Sequence, residues 1–376
     1  MIMDPWRPFL EVMRDPLQWA RSWKHMTGGK VIGHLLPDVP EEMIHAAGAL
    51  PLALEGAAVS VSQAQASLPA YTCSHAMGLM EMGLTGQLDF LDGLVIPYVC
   101  DTTRNLYHTW SHRFPETRHE FLRLPKRLRH PGARVYLRNE LERFGRYLGN
   151  ITGCFPTAER LSSSLDLYRK SRSRLEEAYS MHRKNPSVWT WERVHMLMAS
   201  AMKTPREEHL SWMQELPWEG DKDEKSQRPV PVYVRGKIWD PPEITKMLDE
   251  LGLVVVGDET VCGYRSIASH YQEGDPLDSI VNRLISLPLY PGYHDEPRGV
   301  VENFLDRVKQ SGARGVIFLN PKFCEAAGFD LPDLQRGLEK EEIPSLVLET
   351  STRGVSLAQI QVRLEAFGEM IGEDLL

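Results

Sequence analysis

Short apolar runs alternate with amphipathic stretches along most of the chain, a pattern typical of parallel sheets covered by helices. In the first part, apolar runs predict strands over residues 31–36, 51–55, 94–97 and 134–137. Helical periodicity predicts helices over residues 6–27, 40–48, 73–84 and from about 101 onward. We therefore expect residues 1–150 to form one α/β lobe.

Between residues 157 and 213 the pattern changes to long amphipathic stretches without a strand signal. We expect a helical bridge over residues 151–226, which runs into the charged, turn-prone linker 220–229. Beyond it, strands are predicted over 230–234, 253–256, 315–319 and 345–348, and helices over 241–251, 276–287, 298–311, 331–340 and 356–372. Residues 227–376 should form a second lobe. The predicted fold class is thus α/β, with two flavodoxin-like, doubly wound parallel-sheet lobes and a helical insert between them.

Length and charge narrow the class of protein. The 376 residues exceed one ordinary core, and a formal net charge of −8 disfavours a nucleic-acid partner. The basic stretch 113–146 contains interleaved glutamates, so we expect a solvated or subunit-contacting face there, or a site for the anionic nucleotide tail of a substrate. The sequence has no secretory signal and no run of 18 apolar residues, so we expect a cytoplasmic protein without membrane contact.

Two nucleotide-binding motifs are missing from the sequence. No GxxxxGK[ST] phrase occurs, so we expect no P-loop nucleotide site in this chain and no ATP hydrolysis by that mechanism. No GxGxxG phrase follows a predicted strand, so the doubly wound lobes should bind something other than a dinucleotide.

Two of the five cysteines follow the same kind of phrase. Cys100 stands just past an apolar run opened by Gly93, and Cys324 just past one opened by Gly315. Such a run predicts an inner strand of a parallel sheet, and open α/β sheets bind ligands beyond the carboxyl ends of their strands. Equivalent positions in two lobes suggest a metal site shared in the cleft between them.

The other three cysteines differ in their surroundings. Cys73 begins a predicted helix, where backbone N–H groups and the helix dipole favour a thiolate. Cys262 also follows a predicted buried strand, so its position keeps it a candidate metal ligand. We expect Cys154 to be structural. The odd number and wide spacing argue against a disulfide framework. Cysteine outside disulfides is often buried in protein cores. Taken alone, the residues therefore fit two interpretations: inert core cysteines or metal ligands.

Five phrases carry a family likeness: VPEEMIHAAGALPLAL, LPAYTCSHAMGLMEMGLTGQLDFLDGLVIPYVCDTTRNLYHTW, LVVVGDETVCGYR, GVIFLNPKFCE and IPSLVLETSTRGVSLAQIQVRLEAF. In this order, over nearly the whole chain, they resemble the benzoyl-CoA reductase / 2-hydroxyacyl-CoA dehydratase family. The resemblance implies that Cys73, Cys100 and Cys324 bind one 4Fe-4S cluster whose fourth iron site is open. It also implies three kinds of partner: a homologous larger cluster-bearing subunit, ATP-hydrolysing iron–sulfur activator subunits, and an aromatic or other acyl-CoA thioester.

Within this family, the chain length, the YTCSH to VCD interval and the KFC phrase are most similar to the smaller cluster-bearing subunit of an ATP-dependent (class I) benzoyl-CoA reductase. Such an enzyme dearomatises the ring by low-potential one-electron steps. Two alternatives stay open: a subunit of a 2-hydroxyacyl-CoA dehydratase, which uses the same cluster for radical-type elimination of water, and a non-catalytic subunit that relays electrons. A double cluster would need about six thiolates, and the chain has five cysteines.

Three side chains are candidate catalytic groups. His34 closes the first predicted strand and Glu55 the second, so both are candidates to face the cleft, although a loop-edge polar residue is the ordinary interpretation. His75 follows Cys73 by two residues and is a candidate neighbour of the cluster, or a capping residue at the start of a helix.

Four more side chains are candidates to bind substrate or to surround the ligands. Asp101 and Arg104 follow Cys100 on the next predicted helix, where the acid can cap and the arginine can pair with it or reach a thioester tail. Asp258 and Arg265 lie in GDETVCGYR, which resembles a family loop bordering the cleft.

Overall fold

The computed structural model of the chain describes residues 4–36, 38–56, 59–218, 229–268, 274–287, 292–293, 297–351 and 355–372. The chain divides into two compact units. The first consists of Met1–Arg174, Ala199–Leu216 and Ala268–Leu287, and the second of Leu175–Met198, Pro217–Ile267 and Pro288–Leu376. Residues 220–228 of the predicted linker lie outside the described residues, and the domain boundaries at 150 and 226 stay predictions of the sequence.

The first unit contains a four-stranded parallel sheet. Its strands are β1 (Lys30–Leu35), β2 (Ala49–Leu54), β3 (Gly93–Pro97) and β4 (His119–Leu122). They are arranged in the order β2-β1-β3-β4, and every neighbouring pair is parallel. Every residue of β2 and β3 is buried. Such strands read as continuous apolar runs, which is why the sequence pattern predicts them.

Six helices accompany this sheet: α1 (Arg7–Arg14), α2 (Pro16–Thr27), α3 (Glu41–Ala46), α4 (Ser74–Leu84), α5 (Asp101–Arg113) and α6 (Ala133–Thr152). The predicted helix 6–27 is divided in two at Asp15. The carboxylate of Asp15 accepts a hydrogen bond from the backbone N–H of Gln18 at 3.0 Å, and Pro16 occupies the first helical position of α2. An acidic cap followed by proline favours a new helix start over continuation of the old helix.

The fourth strand of this sheet was placed wrongly by the sequence pattern. The segment 134–137 is the first turn of α6, and the strand is β4, earlier in the chain. The error has a physical reason: the buried positions Leu137, Leu141, Phe144 and Leu148 of α6 recur every three or four residues, which is helical spacing. β4 has only four residues, which is too short for a clear apolar run.

Three helices follow in the region predicted to be helical: α7 (Ala158–Lys184), α8 (Trp191–Ala201) and α9 (Arg206–Gln214). The division between the two units falls within α7, after Arg174, and within α8, after Met198. Within the described parts of the chain, no helix combines the length and the apolar character needed to cross a membrane.

A second parallel sheet, in the second unit, consists of β5 (Val230–Gly236), β6 (Leu253–Asp258), β7 (Gly315–Pro321) and β8 (Ser345–Thr350). The remaining helices are α10 (Ile244–Glu250), α11 (Tyr264–Ile267), α12 (Pro276–Ser286), α13 (Pro297–Ser311), α14 (Glu325–Lys340) and α15 (Leu357–Gly372), of which α12 belongs to the first unit. The strand order β6-β5-β7-β8 repeats that of the first sheet. In both sheets the first strand along the chain lies between the second and the third, so the predicted pair of flavodoxin-like lobes is confirmed.

Candidate functional site

The three cysteines singled out by the sequence all begin helices. Cys73 is the N-cap residue of α4, Cys100 that of α5 and Cys324 that of α14. Cys100 follows β3 and Cys324 follows β7, and each of these is the third strand of its sheet. The carboxyl end of the third strand adjoins the point where the strand order reverses, which is where such sheets bind ligands.

A signal for this equivalence is visible in the sequence, although the pattern analysis did not use it. β3 ends in Pro97 and β7 ends in Pro321, and in each case the cysteine comes three residues later, in the phrases PYVC and PKFC. Proline cannot donate a backbone hydrogen bond, so it suits the end of a strand. The two helices then start at matching positions, with a cysteine at each helix N-terminus.

Cys100 lies at the N-terminus of α5, close to a lysine. Its Sγ atom lies 3.9 Å from the hydroxyl oxygen of Thr103, in a capping box at the start of α5, which is the positive end of the helix dipole. The side chain of Lys126 is half-buried, with its ammonium 4.4 Å from the ring centre of Tyr98. Burial lowers the pKa of Lys126, while neighbouring Cys100 and Asp101 act in the opposite direction. A lysine cation therefore stands beside this cysteine.

Two glycines position the helix that Cys73 begins. A Cβ atom on Gly78 would lie 1.6 Å from the carbonyl oxygen of Gly56, and one on Gly56 would lie 2.2 Å from the carbonyl oxygen of His75. Only hydrogen at these two positions permits α4 to lie so close to the segment that follows β2. Cys73 itself is 4 % exposed.

Glu55 lies between the end of β2 and Gly56. Its carboxylate accepts a hydrogen bond from the ammonium of Lys203 at 2.8 Å, and the same ammonium donates to the carbonyl of Ala199 at 3.2 Å. Lys203 is nearly fully buried, whereas Glu55 keeps about a third of its side chain exposed. The pair ties the carboxyl end of β2 to the helical region that follows α8.

His34 lies within β1 and its side chain is fully buried. Its Nε2 atom is 3.7 Å from the carboxylate of Glu41, and burial lowers the pKa of His34. The carboxylate of Glu41 also accepts from the guanidinium of Arg206 at 2.5 Å. His34 is therefore part of a buried polar network in the first unit, with no exposed surface of its own.

This network has a second ion pair. The carboxylate of Glu42 is fully buried and lies 2.6 Å from the guanidinium of Arg172 and 3.9 Å from that of Arg283. Burial opposes ionisation of Glu42, but the two arginines outweigh it and hold its pKa at about 2. The sequence pattern did not identify these groups, because two glutamates at a helix start read as dipole-favoured surface residues.

The remaining candidates in the first unit are closer to solvent. His75 is half-buried in the first turn of α4. Asp101 is the first residue of α5, and its carboxylate lies 3.4 Å from the guanidinium of Arg104, in an exposed pair. Such a pair contributes little to stability, and both side chains are accessible to a ligand.

Asp258 organises a loop in the second unit. Its carboxylate accepts hydrogen bonds from the backbone N–H groups of Thr260 at 2.8 Å and Tyr264 at 2.9 Å, and from the hydroxyl of Tyr179 at 3.1 Å. Burial raises the pKa of Asp258, against the hydrogen bonds. Arg265 follows in α11 and is buried. Asp258 thus has a clear structural role.

Glu259, the next residue, was missed by the sequence analysis. Its carboxylate accepts from the hydroxyl of Tyr233 at 3.0 Å and from the guanidinium of Arg307 at 2.6 Å, and it also contacts the guanidinium of Arg235. Burial opposes its ionisation, but the two arginines hold the pKa of Glu259 below its ordinary value. Two adjacent buried acids, Asp258 and Glu259, therefore hold the carboxyl end of β6 in place. The pKa of the first is raised and that of the second is lowered.

None of the five cysteines, all of which lie within the described residues, is in a disulfide bond. Cys262 is buried, and Cys154 is half-buried in the turn after α6, where its N–H donates to Thr152 Oγ1 at 3.0 Å. Within the described ranges, no group of three or more His, Cys, Asp or Glu side chains is close enough to hold a single metal ion. An iron–sulfur cluster has a different requirement: thiolates bind separate irons and are spaced by the cluster itself. Cys73, Cys100 and Cys324 each lie at a helix N-terminus, and thiolates are the kind of ligand that such a cluster requires.

Comparison with known proteins identifies the family. Residues 38–371 match the family described as 2-hydroxyglutaryl-CoA dehydratase, D-component. The chain belongs to this family, and the resemblance read from the sequence is confirmed.

Curated relatives match over nearly the whole chain. A benzoyl-CoA reductase subunit from Thauera aromatica is 26 % identical over 94 % of this chain and 94 % of its own length. The (R)-phenyllactyl-CoA dehydratase beta subunit from Clostridium sporogenes is 24 % identical over 96 % and 97 %. The beta subunit of (R)-2-hydroxyglutaryl-CoA dehydratase from Acidaminococcus fermentans is 26 % identical over 96 % and 98 %. The relatives are thus subunits of reductases and of dehydratases.

Proposed function

We propose that this chain is the smaller iron–sulfur subunit of an ATP-dependent aryl-CoA reductase, with benzoyl-CoA as the type of substrate. The observation that carries the proposal is the placement of Cys73, Cys100 and Cys324, each outside any disulfide bond and each at the start of a helix. The likeness to a benzoyl-CoA reductase subunit over 94 % of both chains supports it.

In this proposal the three cysteines bind one 4Fe-4S cluster and leave its fourth iron site open. When bound, such a cluster supplies single electrons at low potential and an iron site for a ligand. The chain contributes the rest of the environment. The N-termini of α4, α5 and α14 stabilise the negative charge of the sulfur ligands, and Lys126 adds a positive charge beside Cys100.

The reaction adds two electrons and two protons to the aromatic ring of the thioester. ATP hydrolysis belongs to a separate activator, because this sequence contains no P-loop motif. The enzyme in this proposal is completed by a homologous larger subunit, in keeping with relatives that are themselves named as subunits.

A second candidate function is a subunit of a 2-hydroxyacyl-CoA dehydratase. The two dehydratase subunits described above match this chain at 24 % and 26 % identity, and the reductase subunit matches it at 26 %. In such an enzyme one electron is recycled while water leaves the 2-hydroxyacyl thioester, so the same cysteines would serve.

The first experiment measures the cluster. We expect the anaerobically purified and reconstituted full chain to be brown and to contain about four irons. Cys73→Ala, Cys100→Ala and Cys324→Ala should each lose most of the iron and the cluster absorption. Cys154→Ala is the matched control and should keep both. An iron-free wild-type chain, or equal loss of iron in the Cys154 variant, contradicts the proposal.

The second experiment distinguishes the reactions. The chain is combined anaerobically with its larger partner subunit, the activator and ATP, and is given benzoyl-CoA or a 2-hydroxyacyl-CoA. Consumption of benzoyl-CoA with reductant supports the reductase, and water elimination without net reductant supports the dehydratase. A cluster spectrum of this chain that does not respond to either substrate indicates a subunit that only relays electrons.

A further inference from the structure

A basic segment runs from the end of β4 into the first two residues of α6, and its exposed arginines have no part in the roles assigned above. Residues 123–134, RLPKRLRHPGAR, contain five Arg or Lys residues and no Asp or Glu, in a chain whose formal net charge is −8. We call this segment the basic loop. A concentrated positive charge in an acidic protein marks a place that attracts anions.

The basic loop leaves the sheet beside the segment that leads to Cys100. Pro97 at the end of β3 pairs with Leu122 at the end of β4, and the N–H of Tyr98 donates to the carbonyl of Leu122 at 2.8 Å. The two strands are parallel, so both connections emerge at the carboxyl edge of the sheet, where ligands bind. Lys126, in the basic loop, contacts the ring of Tyr98.

The fold of the basic loop directs its charges outward. Leu124 and Leu128 are buried, at 4 % and 6 % exposure, and fix the loop to the core. The backbone makes two turns, with the N–H of His130 donating to Arg127 at 3.1 Å and that of Ala133 donating to His130 at 2.9 Å. The side chains of residues 127, 129 and 134 are exposed. A loop held in one shape binds an anion with less loss of conformational entropy.

Two of its arginines are not neutralised by acids. Arg127 and Arg134 make no ion pair within the described part of the chain. Neighbouring Arg138 differs, since its guanidinium lies 3.0 Å from Asp275 and 2.7 Å from Asp278. Arginine forks match phosphate oxygens in geometry and charge.

An exposed aromatic ring completes the surface. Tyr136, in the first turn of α6, is 46 % exposed, and its neighbour Val135 is 63 % exposed. Tyrosine rings provide a face on which a purine base can stack. Phosphate-binding arginines next to a stacking ring suit a nucleotide better than a simple anion.

We propose that the basic loop and Tyr136 bind the adenosine phosphates of the CoA thioester. The inference rests on the proposed function, because it assigns the nucleotide end of that substrate to this chain. Lys126, which contacts Tyr98 two residues before Cys100, then lies on the side of the loop toward that cysteine, and the exposed arginines hold the phosphates.

The test measures binding of CoA to the reconstituted full chain by titration calorimetry under anaerobic conditions. We expect the triple variant Arg127→Gln, Arg129→Gln, Arg134→Gln to bind CoA at least tenfold more weakly and with a smaller salt dependence. The triple variant Arg127→Lys, Arg129→Lys, Arg134→Lys keeps the three positive charges and should retain most of the affinity for CoA. The control Lys170→Gln, Arg336→Gln, Lys340→Gln removes three exposed charges elsewhere and should bind like wild type.

Three probes identify the part of the ligand that is bound. We expect 3′,5′-ADP to compete with CoA, pantetheine not to compete, and Tyr136→Ala to weaken 3′,5′-ADP but not pyrophosphate. Unchanged CoA binding in the Gln triple variant, or no CoA binding by a wild-type chain that holds iron, overturns the inference and leaves the proposed function intact. A chain that lacks both iron and CoA binding overturns both.

Discussion

Gly78 in α4 lies directly against Gly56, so that a Cβ atom at position 78 would stand 1.6 Å from the carbonyl oxygen of residue 56. This contact sets how near the helix approaches the end of β2, and Cys73 is the residue immediately before that helix. The position of one candidate ligand therefore depends on two residues without side chains.

We expect Gly78→Ala to destabilise the protein, because the added methyl meets backbone atoms that cannot move aside. Overpacking of this kind costs roughly 1–3 kcal/mol. Gly328→Ala is the control: it also lies within a helix, but a Cβ there meets nothing within 4 Å, so stability should be unchanged or slightly increased. Chemical denaturation followed by circular dichroism measures both. Equal stability of the two variants would show that α4 can shift without penalty.

Lys126 should influence the reduction potential of the proposed cluster. Its positive charge stands beside Cys100 and stabilises the reduced, more negative state. We expect Lys126→Met to lower the midpoint potential by on the order of tens of millivolts, since about 59 mV corresponds to a tenfold change for one electron. Lys126→Arg should stay close to wild type.

The measurement for this lysine is an anaerobic redox titration followed by electron paramagnetic resonance. Lys340→Met, an exposed lysine at the end of α14, serves as the control and should leave the potential unchanged. If the Met and Arg variants of Lys126 have the same potential, the charge at this position does not act on the cluster.

The buried pair of Glu42 and Arg172 should matter for stability. Glu42→Gln removes the carboxylate charge and leaves the arginine uncompensated in the core, which costs roughly 3–5 kcal/mol. Glu11→Gln breaks an exposed pair with Arg7 and should cost less than about 1 kcal/mol. Denaturation at neutral pH compares the two variants. A similar small loss in both would mean that Arg172 finds another partner.

The lowered pKa of Glu42 predicts that the stability of the protein depends on pH. Its pKa is about 2 in the folded chain, below the ordinary 4.5, so its contribution to stability is present above pH 4.5 and is lost as the pH falls toward 2. We expect the free energy of unfolding to fall across this window in wild type, and less steeply in Glu42→Gln. If the free energy of unfolding falls equally steeply with decreasing pH in wild type and in Glu42→Gln, this prediction is wrong.

Asp258 should hold the loop between β6 and α11. Asp258→Ala leaves the buried N–H group of Thr260 and the half-buried N–H group of Tyr264 without their acceptor, which costs roughly 1–3 kcal/mol. Hydrogen exchange of residues 258–264 should accelerate. Asp333→Ala removes an exposed acid paired with Arg336 and should change neither quantity. If hydrogen exchange of residues 258–264 is unchanged in Asp258→Ala, other contacts stabilise this loop.

Much of the fold was readable from the sequence, while the three cysteine ligands stay a prediction. Strands such as β3 and β7 were found because burial on both faces leaves a continuous apolar run. β4 was missed because four residues give too little pattern, and the start of α6 was mistaken for it. His34 lies next to the last residue of β1, close to the predicted strand end, and its side chain is fully buried, which the sequence pattern did not indicate.

The sequence by itself determined most of the strands and helices, including the helices that begin after Cys73 and Cys100, since these depend on neighbouring residues and local periodicity. It did not place β4, and it placed the helix after Cys324 only from residue 331, whereas α14 begins at Glu325. Only the tertiary structure decided that Gly56 contacts Gly78 and that Glu42 meets Arg172 and Arg283. The partners of Glu42 are more than a hundred residues away along the chain. No local pattern encodes such a pair, because its energy arises from burial and charge that exist only once the helices have packed together.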